Sequence, residues 1–566
     1  HSLVVPRSST KECIDFICKD LQTAADYLPA RWESENKNFG RITSGAALAL
    51  KGRVELLYAS PLFNRADDVT RWETAYQTNL AAVKKLEEGN FGLAYENNSG
   101  KNAAGWGKIF SDYIGSEGGG GTVSEAVLVT LYNNVSPAEH LQLEKWNGWE
   151  HSLRPANAGG GGGMTPTAEM VDLFPMADGK KPNDMNGSYD YNQELFFLNR
   201  DPRFYRTFAF PGVEWKFDSD DLKSFGEKGQ LPYGINGYTT GNNYKLWNYC
   251  WYDNVDDRNS NSKSGYAADC LGIKNTGIYL RKRTDDLALN SNPLYIFEKT
   301  SGNGFRQSAA PYMEIRFAEV LLNYAEAACG ANHFDEAVNA LKRIRKRVGY
   351  TDNCGLDPAI FNDRAKLFEA ILYERQIELA YEGKRFHDVR RWMLFDGGVG
   401  QEALKSTWKL TGFNGNTCNY LGVEPLNGQR RHRIEVYAKN FIAAKSNNVY
   451  NEDKTIKETY DELWNKRPTA LSLTEDITCT ESADDEITYA DAKVKALAQF
   501  YQEHFKRKNL STDGNDETIL PTFKPYYYIL GFKKNAMQNN VSLEQNIGWG
   551  DYWRGGADGT FDPLAE

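Results

Sequence analysis

Apolar residues recur at helical spacing in the first ninety residues of the chain. Residues 9–29 open with the Ser-x-x-Glu pattern of a capping box, carry apolar side chains three and four positions apart, and stop at a proline. Residues 44–60 repeat this spacing, and their small side chains permit close approach of a neighbouring helix. Residues 70–89 form a third segment, with a capping box at Thr70 and Glu73 and a glycine at its end. The pattern predicts three helices.

The same spacing returns far downstream, at residues 313–330, 334–349 and 358–383, and each segment ends at a glycine. Consecutive antiparallel helices with small residues at their contacts resemble tetratricopeptide units, whose pairs stack into a superhelix. The basic run at residues 342–347 lies on the second segment. Because Ile344 interrupts this run at core spacing, we interpret it as a charged outer face. The chain is therefore predicted to be mainly α.

Two long segments lack this spacing. Residues 90–310 are rich in Gly, Asn, Tyr and Trp; residues 125–132 are their clearest strand, and Thr165 is placed to cap a short helix that begins with a proline. Residues 397–520 are polar and contain one clear helix, at 489–506. These segments predict a loop-rich part with minor β structure beside the helices.

Charge and composition narrow the function. The 566 residues carry a net charge of −10 with a pI of about 5.5, whereas nucleic-acid binding normally needs a basic face, so no nucleic-acid partner is expected. The sequence contains no apolar stretch long enough to span a bilayer. The eight cysteines are scattered and form no Cys-x-x-Cys pair, which indicates buried thiols or isolated bridges and leaves the cellular compartment open.

The sequence shows no signature of catalysis. It has no His-Glu-x-x-His zinc motif and no Gly-x-Ser-x-Gly elbow, and its glycine runs at residues 118–121 and 159–163 lack the ending of a phosphate-binding loop. Acidic residues are plentiful, but no local pattern selects a pair for glycoside hydrolysis. We therefore expect no catalytic residue, no metal site and no cofactor.

An aromatic segment is the strongest candidate for a binding surface. Trp247, Tyr249 and Trp251 alternate, so an extended chain places all three rings on one face. Sugars can stack on flat rings through their C–H faces, while nearby polar side chains bond to the hydroxyl groups. The predicted ligand-binding residues are Trp247, Tyr249, Trp251, Tyr252 and Asp253, with Trp215 as a weaker candidate.

These rings have a structural alternative. They could seal the loop-rich part against the helices, in which case they belong to the core. The binding site would then lie elsewhere, near Trp106, Trp146 or Trp149.

Several stretches, taken in order along the chain, resemble the SusD/RagB family. The most recognisable are residues 40–53, GRITSGAALALKGR, and residues 57–64, LYASPLFN. The further stretches are residues 5–17, 166–172, 176–179, 200–204, 316–327, 374–386, 388–392 and 546–549. Any one of them could arise by chance, but the ordered set covers nearly the whole chain and is specific.

The resemblance implies a single domain over residues 1–566. Residues 1–90 and 312–395 would form a tetratricopeptide-like α-superhelix, and residues 91–311 and 396–530 a loop-rich binding half. Charged residues in the matching helices, among them Arg316, Glu319, Glu326, Glu374, Arg375, Glu378, Arg385 and Arg390, are interpreted as pairs that hold the scaffold together. The family's binding residues share no motif, so none is assigned by position.

The resemblance also implies a place and a partner. Such proteins are lipoproteins on the outer face of the Bacteroidetes outer membrane, where they sit on a SusC-like TonB-dependent transporter and deliver glycans or, in some members, peptides. The sequence starts within a family segment, so we expect the mature protein to begin upstream of His1 with a lipid-bearing cysteine and further helices.

Four functions remain open at this stage. They are glycan uptake, peptide uptake by the same kind of protein, glycoside hydrolysis by a secreted enzyme, and a periplasmic helical-repeat scaffold. The aromatic segment favours glycan over peptide. The missing catalytic signature disfavours the hydrolase, and the long non-helical middle disfavours a pure scaffold. We therefore expect a glycan-binding protein that is not an enzyme.

Overall fold

The computed structural model describes most of the chain. The described residues are 4–33, 35–97, 103–111, 123–133, 146–155, 160–161, 163–215, 244–249, 277–284, 294–298, 304–439, 449–450, 456–458, 463, 466–473, 480–481, 487–488, 492–511 and 520–566. Helices dominate these residues, and the prediction of a mainly α fold with tetratricopeptide-like helical pairs is confirmed.

The elements are numbered in chain order. The helices are α1 (Thr10–Tyr27), α2 (Glu35–Asn38), α3 (Ser44–Ala59), α4 (Val69–Glu88), α5 (Ala104–Ser111), α6 (Trp149–Leu153), α7 (Ala168–Leu173), α8 (Pro202–Thr207), α9 (Phe317–Gly330), α10 (Phe334–Arg347), α11 (Arg364–Glu378), α12 (Arg385–Arg391), α13 (Thr417–Leu421), α14 (Ala492–His504) and α15 (Lys534–Asn539). Single 3-10 turns are Gln193–Leu195, Pro358–Ile360, Gln401–Ala403, Ser406–Trp408, Phe413–Gly415, Pro525–Tyr528 and Tyr552–Arg554.

The strands are short and form small separate sheets. They are β1 (Ala126–Thr130), β2 (Phe208–Ala209), β3 (Val213–Trp215), β4 (Tyr244–Leu246), β5 (Tyr279–Leu280), β6 (Tyr295–Glu298), β7 (Gly304–Ser308), β8 (Tyr312–Arg316), β9 (His432–Ala438), β10 (Val449–Tyr450), β11 (Ile456–Glu458), β12 (Leu471–Ser472), β13 (Thr480–Glu481), β14 (Ile487–Thr488), β15 (Phe505–Ser511), β16 (Gly550–Asp551) and β17 (Ala557–Asp558). Most of them pair antiparallel; β12 and β3 pair in parallel.

The helical core surrounds α9. This helix packs against α3, α4, α10 and α11, and α3 also contacts α1. The rings of Trp72, Phe368 and Trp392 pack together at centroid distances of 4.8–6.1 Å. Gly330 must be glycine because a Cβ there would lie 2.2 Å from the ring of Trp72. Close helix contacts through small residues, as the sequence predicted, let these aromatic rings fill the space between helices.

Two predicted helix starts were misplaced by two residues or fewer. Asp68, not Thr70, caps α4, because its carboxylate accepts hydrogen bonds from both the backbone amide and the hydroxyl group of Thr70. Thr167, not Thr165, caps α7 and accepts from the amide of Met170. In both cases a second oxygen-bearing side chain nearby offered a competing cap.

Two predicted helices are shorter than their apolar pattern. Met313 belongs to β8, where it pairs with Val129 of β1, so α9 begins only at Phe317. The segment predicted from Pro358 is a 3-10 turn followed by α11, whose cap is Asp363. The helical spacing of apolar residues could not, by itself, distinguish a strand that leads into a helix from the first turn of that helix.

A second core lies in the loop-rich part. Strands β9 and β15 pair over seven residues without a register shift, from His432 opposite Ser511 to Ala438 opposite Phe505. Helix α14 runs directly into β15, and its side chains Phe500 and Tyr501 are buried with the sheet. The sequence predicted α14 but not these two strands, because the buried Glu435 interrupts the apolar run of β9 and three successive basic residues, Lys506, Arg507 and Lys508, conceal any alternation in β15.

A buried cluster of ion pairs joins the two parts of the molecule. Glu378 of α11 accepts hydrogen bonds from three guanidinium groups, those of Arg203, Arg316 and Arg347, at 2.5–2.8 Å. Arg203 also contacts Glu374, and Arg316 also contacts Glu125 and Glu382. All these side chains are at most 4% exposed. The expectation that scaffold helices carry paired charges is confirmed for these residues.

The basic run on α10 is only partly an outer face. Arg345 and Arg347 are buried, where they pair with Glu374 and with Glu125 and Glu378 respectively. The interpretation of the whole run as a solvated face was therefore wrong. Adjacent helical positions point in different directions, so a run of basic residues contributes to both faces.

The described helices give no transmembrane candidate, since none of them is both long enough and apolar enough to cross a bilayer. Cys329, Cys354 and Cys418 are buried free thiols, as the scattered cysteines suggested. Burial raises the pKa of Cys418 to about 11, so its thiol stays protonated at neutral pH.

Candidate functional site

The predicted aromatic residues that the structure describes are core residues. Trp215 and Tyr249 are fully buried, and Trp247 is 4% exposed. The prediction that Trp247 and Tyr249, with Trp215 as a weaker candidate, present exposed rings is therefore wrong. Trp251, Tyr252 and Asp253 lie outside the described residues, and their role in ligand binding stays a prediction.

Neighbours distant in sequence cover these rings. Strand β4 pairs with β3, so that Tyr244 lies opposite Trp215. The ring of Trp247 meets that of Phe500 edge-on at a centroid distance of 5.7 Å. The hydroxyl group of Tyr249 accepts a hydrogen bond from Arg467 Nη2 at 2.6 Å. This arrangement matches the alternative in which the rings seal the loop-rich part.

The three tryptophans of the alternative binding site, Trp106, Trp146 and Trp149, differ in their surroundings. Trp106 is fully buried and donates from Nε1 to Glu378 at 2.9 Å, so it belongs to the ionic cluster. Trp149 is half-buried and lies under the guanidinium group of Arg283 at 4.4 Å from the ring centroid. Trp146 is 41% exposed. Only Trp146 offers an open ring.

The described part of the chain contains a groove of about 590 Å³. It lies between α7, α11, α12 and the segment that runs from Leu394 to Arg431. Its apolar lining includes Met170, Leu173, Leu372, Leu394, Leu421 and Leu426. The groove thus lies where the scaffold helices α11 and α12 meet both segments of the loop-rich part.

One aromatic ring stands open at this groove. Phe386 of α12 is 47% exposed, although most large apolar side chains near it are buried. The guanidinium group of Arg390, one helical turn further on, covers this ring at 3.7 Å from its centroid and donates to the carbonyl of Phe386. Together they give the groove a flat wall that carries a positive charge.

Three glutamates line the groove beside its cationic residues. Lys181 pairs with Glu369. Glu169 accepts from the backbone amide of His432 and contacts its ring nitrogen Nδ1 at 2.6 Å. Glu424 is exposed. The guanidinium groups of Arg385, Arg390 and Arg431 line the same groove.

Arg385 is the unusual member of this set. In the described part of the chain its guanidinium group makes no hydrogen bond and no ion pair, although it is partly buried. Burial lowers its pKa to about 10; Asp388 opposes this effect, and the nearby charges of Arg431, Arg391 and Arg375 add to it. The expectation that Arg385 and Arg390 form scaffold pairs was wrong.

Helical geometry separates the two roles of α12. Arg385 and Val389, four positions apart, line the groove together with Phe386 and Arg390. Asp388 and Arg391 lie on the other side of the helix, in the core, where Arg391 pairs with Glu326. The sequence contained the signal, because a helical wheel divides these arginines, but it could not show which side meets a cavity.

A pair of exposed aromatic residues lies near the end of the chain. Tyr552 is 77% and Trp553 41% exposed in the 3-10 turn between β16 and β17. Asp551 fixes this turn: its Oδ1 accepts from the amides of Trp553 and Arg554, and its Oδ2 pairs with Arg554 Nη1 at 2.7 Å. Sequence analysis missed this pair, although glycines flank it on both sides.

The described residues contain no group of three or more His, Cys, Asp or Glu side chains placed to hold a metal ion. Their strongest charge clusters are ion pairs of the core. The described open surface presents rings, apolar side chains and guanidinium groups.

Comparisons with known proteins agree with this architecture. The model of the SusD family matches residues 107–549. The chain is 34% identical over 131 residues to SusD-like protein P2 of Formosa agariphila, a match that covers 21% of this chain and only a quarter of that relative. A crystal structure of a SusD-like protein from Bacteroides fragilis superposes with a TM-score of 0.54 at 21% identity, over 97% of this chain and 73% of the other. The family match spans well over half of the residues, and the chain therefore belongs to the SusD family.

Proposed function

We propose that this protein binds glycans at the cell surface and passes them to a TonB-dependent transporter of the outer membrane. The observation that carries the proposal is the family match over residues 107–549. In this proposal the protein is a lipid-anchored binding protein and not an enzyme. Experiments must identify the glycan and the transporter.

The open aromatic turn supports glycan binding. Tyr552 and Trp553 present two rings on a turn that Asp551 and Arg554 hold in place. Rings fixed on a rigid support can stack on sugars at little cost in conformational entropy. Trp251, Tyr252 and Asp253 remain candidates for the same ligand.

We expect Trp553→Ala to weaken glycan binding by about ten- to a hundredfold, since truncating an anchor ring at an interface costs about 1–3 kcal/mol. The ring is exposed, so the melting temperature should stay unchanged. Binding is measured by calorimetry with the polysaccharide that scores highest in a screen of polysaccharides and peptide pools. Tyr27→Ala is the matched control, because Tyr27 is 86% exposed on α1. Unchanged glycan affinity in Trp553→Ala would exclude this turn.

The transporter partner can be tested directly. The protein should co-purify with a TonB-dependent barrel from outer membranes solubilised in mild detergent, and mass spectrometry of the native protein should show a lipidated cysteine before His1. Recovery of the protein only as a free species in several mild detergents would contradict the delivery step. An unmodified start at His1 would contradict the anchor.

Peptide uptake is the second candidate, and one observation favours it. The groove beside α12 carries a surface of aliphatic side chains, which contact apolar side chains of a peptide better than sugar hydroxyl groups. The screen of peptide pools separates this candidate from glycan uptake.

A further inference from the structure

Arg385 forms no ion pair with the described residues, whereas many buried arginines of the protein do. Carboxylates contact the buried guanidinium groups of Arg203, Arg316, Arg345, Arg347, Arg375 and Arg391. Arg385 lies in the groove wall, and Asp388, the one carboxylate on the same helix, is engaged in ion pairs with Arg375 and Arg391. A partly buried charge without a direct partner is unfavourable in the free protein.

Arg390 also lacks a carboxylate partner among the described residues. Within the part of the chain that the structure describes, its one hydrogen bond goes to the carbonyl of Phe386 at 3.1 Å, and its Nε is buried without a hydrogen-bond partner. Arg385 and Arg390 thus bring unused guanidinium donors to one groove. Guanidinium groups bind carboxylates through paired, charge-assisted hydrogen bonds. A carboxylate, with its two anionic oxygens, would therefore satisfy both arginines.

The rest of the groove defines the body of the ligand. Leu372, Leu394, Leu421 and Leu426 supply an aliphatic surface, and the open ring of Phe386 adds a flat wall. Sugar hydroxyl groups placed against this surface would lose hydrogen bonds to water without replacement. An apolar side chain next to a carboxylate fits both the aliphatic surface and the arginines.

We propose that the groove between α7, α11 and α12 binds a short free peptide, whose carboxylate meets Arg385 and Arg390 and whose apolar side chain lies on the leucine surface. This binding site deepens the second candidate function, peptide uptake, on which it rests, and it is separate from the aromatic turn at Tyr552 and Trp553. The volume of about 590 Å³ is within the range of sites that hold a small ligand.

The test uses one peptide in two forms. N-acetyl-Leu-Ala-Leu with a free carboxylate is compared with its carboxamide, and binding to the full chain is measured by calorimetry. The carboxylate form should bind at least tenfold more tightly. In Arg385→Gln this preference should disappear, so that the two forms bind equally; a double-mutant comparison of this kind isolates the contact between Arg385 and the carboxylate. Arg385→Lys should keep part of the preference.

Stability separates a ligand contact from a structural role. Arg385→Gln removes an unpaired charge, so its melting temperature should stay the same or rise, while Arg391→Gln, which breaks core ion pairs, should lower it. Lys19→Gln removes an exposed charge outside the groove and should change neither quantity. If Arg385→Gln lowers the melting temperature as much as Arg391→Gln, the arginine is structural and the proposal fails, unless Arg390→Gln, measured in parallel, abolishes the preference in a stable protein.

Three binding results would overturn the proposal. They are equal affinity of the wild-type protein for both peptide forms, no detectable binding of either form, and binding of tri-galacturonate that depends on Arg385 while the peptide does not bind. The last result would assign the groove to acidic glycans. Polysaccharide binding through Trp553 is measured on the same variants, so failure of the peptide site leaves the glycan proposal separately testable.

Discussion

Glu378→Ala is expected to lower the free energy of unfolding by about 3–5 kcal/mol, the range seen when one partner of a buried ion pair is removed. Glu378 is fully buried and contacts Arg203, Arg316 and Arg347. Its loss leaves these three guanidinium groups short of negative charge in a region without water access. Chemical denaturation, followed by tryptophan fluorescence, measures the change.

The pKa of Glu378 supports this expectation. Burial opposes its ionisation, but the charges of Arg347, Arg316 and Arg203 outweigh burial and hold its pKa well below the ordinary value. The neighbouring Glu382 behaves in the same way, and Arg316 and Lys282 lower its pKa to about 2. Both carboxylates therefore stabilise the folded protein above about pH 4.5, the ordinary value for glutamate, and this contribution falls as the pH drops below it.

Two further variants isolate the charge. Glu378→Gln keeps the size of the side chain but not its charge, so it should retain most of the destabilisation. Glu88→Ala removes an exposed partner of Lys85 and should cost no more than about 1 kcal/mol. If Glu378→Gln is as stable as the wild-type protein, the cluster is held by shape and hydrogen bonds, and its charges are incidental.

Trp247→Ala should lower the free energy of unfolding by about 3–5 kcal/mol, because it leaves a large cavity in the second core. The Trp247 ring contacts Phe500 of α14 and lies under the guanidinium group of Arg467, at 5.3 Å. Both contacts join residues far apart in sequence. The midpoint of chemical denaturation measures the effect, with Trp553→Ala as a control in which an exposed tryptophan is removed.

Binding data complete the comparison for Trp247. A conservative Trp247→Phe variant keeps most of the buried apolar surface and should fold, so its glycan affinity can be measured without the stability loss. We expect that affinity to equal that of the wild-type protein. If Trp247→Ala is stable but no longer binds glycan, the Trp247 ring belongs to the binding surface.

Local sequence signals predicted most of the helical scaffold. The capping box of Ser9 and Glu12 starts α1 as expected, and Gly89 ends α4. These features depend on residues within one helical turn, so the sequence contains them fully. The shift of the cap from Thr70 to Asp68 shows the limit: two competing oxygens lie two residues apart, and the choice depends on how Asn64 holds the preceding loop.

The site residues depended on information that local patterns lack. Alternation placed Trp247 and Tyr249 together correctly, but α14, β15 and Arg467 decide whether that location is buried, and they lie more than two hundred residues further along the chain. For the groove arginines the prediction was wrong in the opposite way, because it placed groove-lining residues among the ion pairs of the scaffold. Arg385 and Arg391 look equivalent in sequence, and only the carboxylates of other helices distinguish the paired residue from the unpaired one.

The buried ionic cluster makes the stability of the scaffold depend on the loop-rich part, and the reverse. Glu125 and Arg203 come from the loop-rich part, whereas Arg347 and Glu378 belong to scaffold helices, so the buried ion pairs Arg203–Glu378 and Arg347–Glu125 cross between the two parts. A fragment of either part would lose these pairs and expose their buried charges. The molecule should therefore resist limited proteolysis as one cooperative unit, and nicked pieces should stay associated until both parts unfold.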